Sequence, residues 1–172
     1  MDIRLKSKIE KITTFVFDVD GVFTDASLIV SDTSVDRVFN VRDGYAIQIA
    51  KKSGYNLAVI SGGKQESIRT RLAGLGIEEI ALSVSTDGKP AEMQKLIDKW
   101  NLKEEEILYI GDDIPDLLLM NAFKVLKVCP ADAEIEVKEI VDFVCENNGG
   151  KGAVREIIKL IMKEQHKWLK VF

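Results

Sequence analysis

The chain has 172 residues, 46% hydrophobic and 30% charged, with a formal net charge of −4. This suits one soluble domain with its own core and excludes the basic footprint that nucleic-acid binding needs. No apolar run approaches the roughly 20 residues that span a bilayer, and the opening MDIRLKSKIEK lacks the apolar centre of a secretion signal.

The first strand is expected at residues 13–17, and it ends in Asp18-Val19-Asp20-Gly21. A β-hairpin is expected next, over about residues 26–42, with a polar turn at Ser31–Ser34. In its second strand Val35, Arg37, Phe39 and Val41 fall on one face, and Asp36, Val38 and Asn40 on the other. Such a ribbon either folds back as a flap or is covered by another subunit, and the subunit contact is the favoured expectation. A helix over 44–52 leads to a strand at 56–60, which ends in Ser61-Gly62-Gly63. A helix over 64–75 and a strand at 79–82 follow, then Asp87-Gly88-Lys89. A helix over 90–100 precedes a strand at 107–110, which ends in Gly111-Asp112-Asp113, with Asp116 one turn further on. The remaining elements are a helix over 114–123, a strand at 124–128, a helix over 133–140 and a short strand around Phe143. The last is a C-terminal helix, about 153–166, whose apolar face is Val154, Ile157, Ile158, Ile161 and Met162.

Short, continuous apolar strands alternating with helices indicate an α/β fold, a doubly wound parallel sheet in a single domain spanning 1–172. In such sheets ligands bind beyond the carboxyl ends of the strands. Each polar cluster above follows a strand, and singly each has a plain alternative. Asp-x-Asp-Gly also makes turns, Ser-Gly-Gly opens helices, Gly-Asp-Asp caps them, and a lysine before a proline is commonly solvated. Together they are the parts of a phosphoryl-transfer site. Crowded carboxylates call for a divalent cation, and an all-oxygen set points to Mg²⁺. Ser61 and the N–H groups after it suit phosphate oxygens, and Lys89 supplies a compact positive charge.

The motifs Asp18-Val19-Asp20-Gly21-Val22, Ser61, Lys89 and Gly111-Asp112-Asp113-x-x-Asp116 stand in the order of the haloacid dehalogenase-like phosphatases, which the chain resembles over nearly its whole length. More narrowly, FNVRDGY (39–45), RLAGLGI (71–77) and GGKGAVRE (149–156) resemble the 3-deoxy-D-manno-octulosonate 8-phosphate phosphatases of lipopolysaccharide precursor synthesis. The resemblance implies a Rossmann-like core, Mg²⁺, a homotetramer and hydrolysis of that sugar-acid phosphate through an aspartyl phosphate. It makes Asp18 the nucleophile and Asp20 the acid and base. The metal falls to Asp18, the backbone carbonyl of Asp20, and Asp112, with Asp113 and Asp116 in support. Phosphate falls to Ser61, Gly62 and Lys89.

Residues 26–60 and 62–88 are used up by the hairpin, helices and strands, so no cap domain is expected, and a neighbouring subunit could roof the open site; the resemblance implies this too, with the glycines at 149–152 closing the site. By the same resemblance Arg71, with Lys64 nearby, meets the substrate. Gly63 stands where many family members carry arginine, which leaves open a nine-carbon keto-deoxy sugar acid 9-phosphate as substrate; Lys64 is a candidate replacement. A non-catalytic regulatory member of the fold and an aspartyl-phosphate signalling receiver are the rivals of other classes, and the paired Asp18 and Asp20 favour turnover over both. Cys129 and Cys145 sit in apolar segments without metal-ligand spacing, so buried reduced thiols and a cytoplasmic location are expected. Asp25 has no catalytic assignment; it is expected to shape the turn into the hairpin. His166, Trp100 and Trp168 read as a solvated tail residue and two packing residues.

Overall fold

The computed structural model describes residues 3–171. In chain order the elements are α1 (Ile3–Ile9), β1 (Thr14–Phe17), the hairpin strands β2 (Ile29–Val30) and β3 (Val35–Asp36), α2 (Val41–Lys52), β4 (Asn56–Ile60), α3 (Glu66–Ala73) and β5 (Glu79–Ala81). Then come α4 (Lys89–Trp100), β6 (Ile107–Ile110), α5 (Leu117–Ala122), β7 (Leu126–Cys129), α6 (Ile135–Lys138), β8 (Phe143–Val144) and α7 (Ala153–Glu164).

Six strands pair in parallel in the order β5-β4-β1-β6-β7-β8. All four residues of β1 and all four of β6 are buried. A strand covered on both faces has no polar side to show, hence the continuous apolar runs. Alternate side chains feed two cores. Phe15, Phe17, Leu57, Val59 and Leu108 pack with Ile47 of α2 and with Val154, Ile157, Ile158 and Ile161 of α7. Val16, Ala58, Ile60 and Tyr109 pack with Met93 and Leu96 of α4 and Leu119 of α5. The chain steps from β1 outward to β4 and β5, then crosses back to β6 and goes on to β7 and β8. The reversal therefore lies between β1 and β6, where a doubly wound sheet opens its crevice. The register sets Phe17 opposite Ile110, so the residues following both strands lie side by side.

Some elements differ from the sequence expectation. α1 was not foreseen: in IRLKSKI only Ile9 is fully buried, which leaves no period to detect. The helix expected over 114–123 is split into a 3₁₀ turn (Ile114–Asp116), opened by Pro115, and the short α5. The helix expected over 133–140 shrinks to Ile135–Lys138. The hairpin keeps its turn, with Ser31 N donating to Ser34 O at 2.9 Å, although each strand has only two residues. Val35, Arg37 and Phe39 face inward and Val38 outward, as the alternation requires. Val41 breaks the pattern at 74% exposed because it opens α2. Asn40 caps that helix, its side chain accepting from Arg42 N at 2.8 Å, and the helical period takes over there.

Between Asp18 and Ser61 the structure holds only the hairpin, α2 and β4; between Ser61 and Lys89 it holds α3, β5 and a 3₁₀ turn, so there is no cap domain. No described helix is long and apolar enough to cross a membrane. Cys129 and Cys145 are free and buried, and burial pushes the Cys129 thiol up to about 11. Asp25 turns the chain into the hairpin: its carboxylate accepts from Ser27 N at 3.2 Å and pairs with Lys151.

Candidate active site

The backbone continues the β1 ladder one residue past the strand, with Asp18 N donating to Ile110 O at 3.0 Å. It then turns sharply, the N–H groups of Val22 and Phe23 both returning to Val19 O. Gly21 makes this turn possible: its φ is +75°, and a Cβ there would stand 1.8 Å from an Asp112 carboxylate oxygen. The C-terminal glycines hold the turn from behind. A Cβ on Gly149 would lie 1.8 Å from Gly21 O, and Gly150 N donates to Val22 O at 3.0 Å.

Asp18, Asp20, Ser61, Gly62, Lys89, Asp112 and Asp113 line one cavity of about 350 Å³ with Ala26, Val84, Thr86 and Pro115. Lys89 opens α4 and is buried beneath the acids. Its Nζ donates to Asp18 Oδ2 at 2.9 Å and to Asp116 Oδ1 at 2.6 Å. Asp116 is fully buried and its oxygens are taken: Oδ1 also accepts from Tyr109 OH, and Oδ2 from the N–H groups of Asp112 and Asp113. Asp113 caps the 3₁₀ turn, accepting from Ile114 N at 2.7 Å. Ser61 is buried, and its Oγ accepts from Gly63 N at 3.2 Å.

Burial, and next the charge of Asp116, push Asp18 up to about 6, against the pull of Lys89 and of Val19 N–H. The same two causes, with Asp18 and Asp113 adding to them, push Asp112 up to about 8. Lys89 is desolvated, which acts downward, yet Asp18 and Asp116 outweigh that and hold it above the ordinary lysine range. Tyr109, wholly buried against Asp116, is held well above its ordinary value.

These residues fit a divalent cation. Oxygens of Asp18, Asp112 and Asp116 lie within 4.8 Å of one another, and no donor among the described residues reaches the Asp112 carboxylate. Two carboxyls that one added cation would ionise, in a set of hard oxygen donors, match what Mg²⁺ selects. Asp116 belongs to this cluster by distance but not by chemistry, since four donors already occupy it.

Two expected substrate residues stand apart. Lys64 is exposed, Arg71 partly so, and neither lines the cavity. The Arg71 guanidinium lies over α2, 2.7 Å from where a Cβ on Gly44 would be. The cation found near Gly63 is Arg37: its Nη2 lies 3.5 Å from where a Gly63 Cβ would be. Arg37 reaches in from the hairpin, donating through Nε and Nη2 to the two oxygens of Asp20 at 2.5 and 3.0 Å and through Nη1 to Gln65 Oε1 at 2.7 Å. Sequence reasoning missed this contact, although an arginine between Val35 and Phe39 on the inward face was its signal.

Residues 36–123 match the haloacid dehalogenase-like hydrolase family model. A 3-deoxy-D-manno-octulosonate 8-phosphate phosphatase of Salmonella typhi is 35% identical over 162 residues, which is 94% of this chain and 85% of that protein. The crystal structure of a Yersinia pestis phosphatase of the same name has a TM-score of 0.92 at 31% identity, covering 97% of this chain and 89% of the other. That of a Moraxella catarrhalis phosphatase of the same name, in complex with magnesium ion, phosphate ion and KDO molecule, has a TM-score of 0.89 at 30% identity, covering 95% and 92%.

Proposed function

The chain belongs to the haloacid dehalogenase-like hydrolases, and on that premise we propose that it releases inorganic phosphate from 3-deoxy-D-manno-octulosonate 8-phosphate, a step of lipopolysaccharide precursor synthesis. It is a phosphoric monoester hydrolase that uses Mg²⁺. The observation that carries the reading is the convergence of Asp18, Asp20, Ser61, Lys89 and Asp112 on one cavity at the switch point of the sheet.

Asp18 is the nucleophile. Its carboxylate oxygen attacks phosphorus in line, the bond from phosphorus to the sugar oxygen breaks, and Asp20 gives that oxygen a proton. Asp20 then takes a proton from the water that attacks the aspartyl phosphate, which frees Asp18 and inorganic phosphate. Ser61 Oγ and Gly62 N–H bind phosphate oxygens. Lys89 has one proton left after its two carboxylate bonds, and this turns to the phosphate. Asp18, the backbone carbonyl of Asp20 and Asp112 would hold Mg²⁺, with Asp113 and Asp116 bracing them. Bound there, the ion offsets the negative charge gathered by the carboxylates and the phosphoryl oxygens.

The substrate carboxylate lies at the opposite end of the molecule from its phosphate. Lys89 is the one cation lining the cavity among the described residues; Arg71 and Lys64, which lie outside it, are the proposed partners of that carboxylate on the strength of the family resemblance. The hairpin exposes Leu28, Ile29, Val30 and Val38, an apolar ribbon that supports self-association, proposed as a homotetramer. The two buried thiols support a cytoplasmic location.

Phosphate release tests the reading. With Mg²⁺ the 8-phosphate is expected to turn over faster than a nine-carbon keto-deoxy acid 9-phosphate, and Asp18→Asn is expected to abolish turnover of both. No turnover of any phosphomonoester would sink the assignment.

A further inference from the structure

The hairpin has no place in the chemistry described so far, yet it sends one side chain into the site. Arg37 lies one residue beyond β3, and its side chain is only 6% exposed. Three of its nitrogens make hydrogen bonds, two of them a fork on Asp20 and the third on Gln65, the residue before α3. The guanidinium lies beside the Ser61-Gly62-Gly63 turn, its Nη2 3.5 Å from where a Gly63 Cβ would be. Its neighbours Val35 and Phe39 are partly buried, and the Phe39 ring lies 6.3 Å from Phe23 in the turn that follows Asp20. The arginine is thus anchored at its root as well as at its tip.

A planar fork of this kind fixes a carboxylate in position and in rotation, which a single hydrogen bond does not. Asp20 has no other side-chain hydrogen bond among the described residues, so Arg37 alone sets its direction. Resting on the reading of Asp20 as the proton carrier, we propose that Arg37 is a positioning residue for the reaction: it aims the Asp20 carboxylate at the leaving oxygen, and the hairpin is the arm that delivers it. Arg37 need not touch the substrate. Its effect passes through Asp20 and is greatest where the leaving group most needs a proton.

That dependence supplies the test. A sugar alkoxide cannot leave without a proton, whereas p-nitrophenolate can. Arg37→Met, Arg37→Lys, Asp20→Asn and the Arg37→Met/Asp20→Asn double variant are assayed with the sugar-acid 8-phosphate and with p-nitrophenyl phosphate. For the aryl ester the rapid first release of p-nitrophenolate is followed, and the fold is checked by thermal melting. General acid–base catalysis contributes about 10²–10⁴-fold, so Arg37→Met is expected to lower kcat on the sugar ester by about 10–100-fold. The aryl burst should fall at least tenfold less. Arg37→Lys, which keeps one arm of the contact, should recover part of the loss. The double variant should be no slower on the sugar ester than Asp20→Asn alone, since the arginine acts only through that carboxylate. Equal losses on both esters, no loss on either, or additive losses in the double variant would overturn the proposal. If Asp20→Asn itself shows no difference between the esters, the fault lies with the assignment of Asp20. If Asp20→Asn shows the difference and Arg37→Met does not, only the role of Arg37 falls.

Discussion

Protons and Mg²⁺ should compete for the acids between β1 and β6, and the competition can be sized. Without metal, burial and mutual repulsion hold Asp18 at about 6 and Asp112 at about 8, against an ordinary value of 3.8. Metal binding requires both as carboxylates, so each proton still present must be displaced. From pH 8 down to 6 one proton is at stake, and Mg²⁺ affinity should fall about tenfold per pH unit, or roughly 100-fold in all. Below pH 6 the second carboxyl joins, and the fall should steepen to about 100-fold per unit. At pH 7 binding should release about one proton, nearly all of it from Asp112. Stability of the metal-free protein runs the opposite way. The folded chain holds these two protons more tightly than the unfolded chain does, so their contribution to stability declines as pH rises from about 4 to about 8. Mg²⁺ should therefore raise the melting temperature more at pH 8 than at pH 5.5. Calorimetric titration in two buffers of different ionisation enthalpy counts the protons directly. An affinity flat from pH 6 to 8, or no proton released at pH 7, would refute the argument.

Two further outcomes follow from the packing. Ala at position 149 puts its Cβ 1.8 Å from Gly21 O, a backbone atom that cannot swing aside. Gly149→Ala should cost about 1–3 kcal/mol in thermal unfolding and lower kcat as well; a lower melting temperature with full turnover would mean that the glycine serves stability alone. Val30 and Val38 are 69% and 65% exposed, so Val30→Lys with Val38→Asp should leave the fold intact, reduce self-association by light scattering and lower turnover. A verified monomer with full activity would contradict that.

The central strands could be located in the sequence because burial on both faces leaves them almost continuously apolar, as in TFVF and ILYI. The acids of the site could be located because each follows such a strand. Other parts depend on contacts between distant segments and leave no local trace. Lys89 reads as a phosphate ligand from its motif, but its ties to Asp18 and Asp116 exist only once β1 and β6 lie side by side. Arg37 was placed on the correct face of its strand, while its target 17 positions earlier depends on how the hairpin docks. Asp43 is similar: one residue of FNVRDGY, it is buried and accepts from Arg155 N at 2.8 Å, 112 positions later, tying α2 to the start of α7. The expected start of α5 falls too early because Pro115 and the Asp113 cap act within a single turn.

The seam between the first turn and the late glycines also bears on when the enzyme becomes active. Gly149 and Gly150 pack against Gly21, Val22 and Thr24, and Lys151 reaches Asp25 across 126 positions. Closing a loop of that length is slow compared with forming local helices. During synthesis the turn after β1 lacks its backing until residues 149–151 have also left the ribosome. The nascent chain therefore carries Asp18 and Asp20 through more than a hundred further residues without the seat that holds them, and competence should arrive abruptly, when that glycine segment docks.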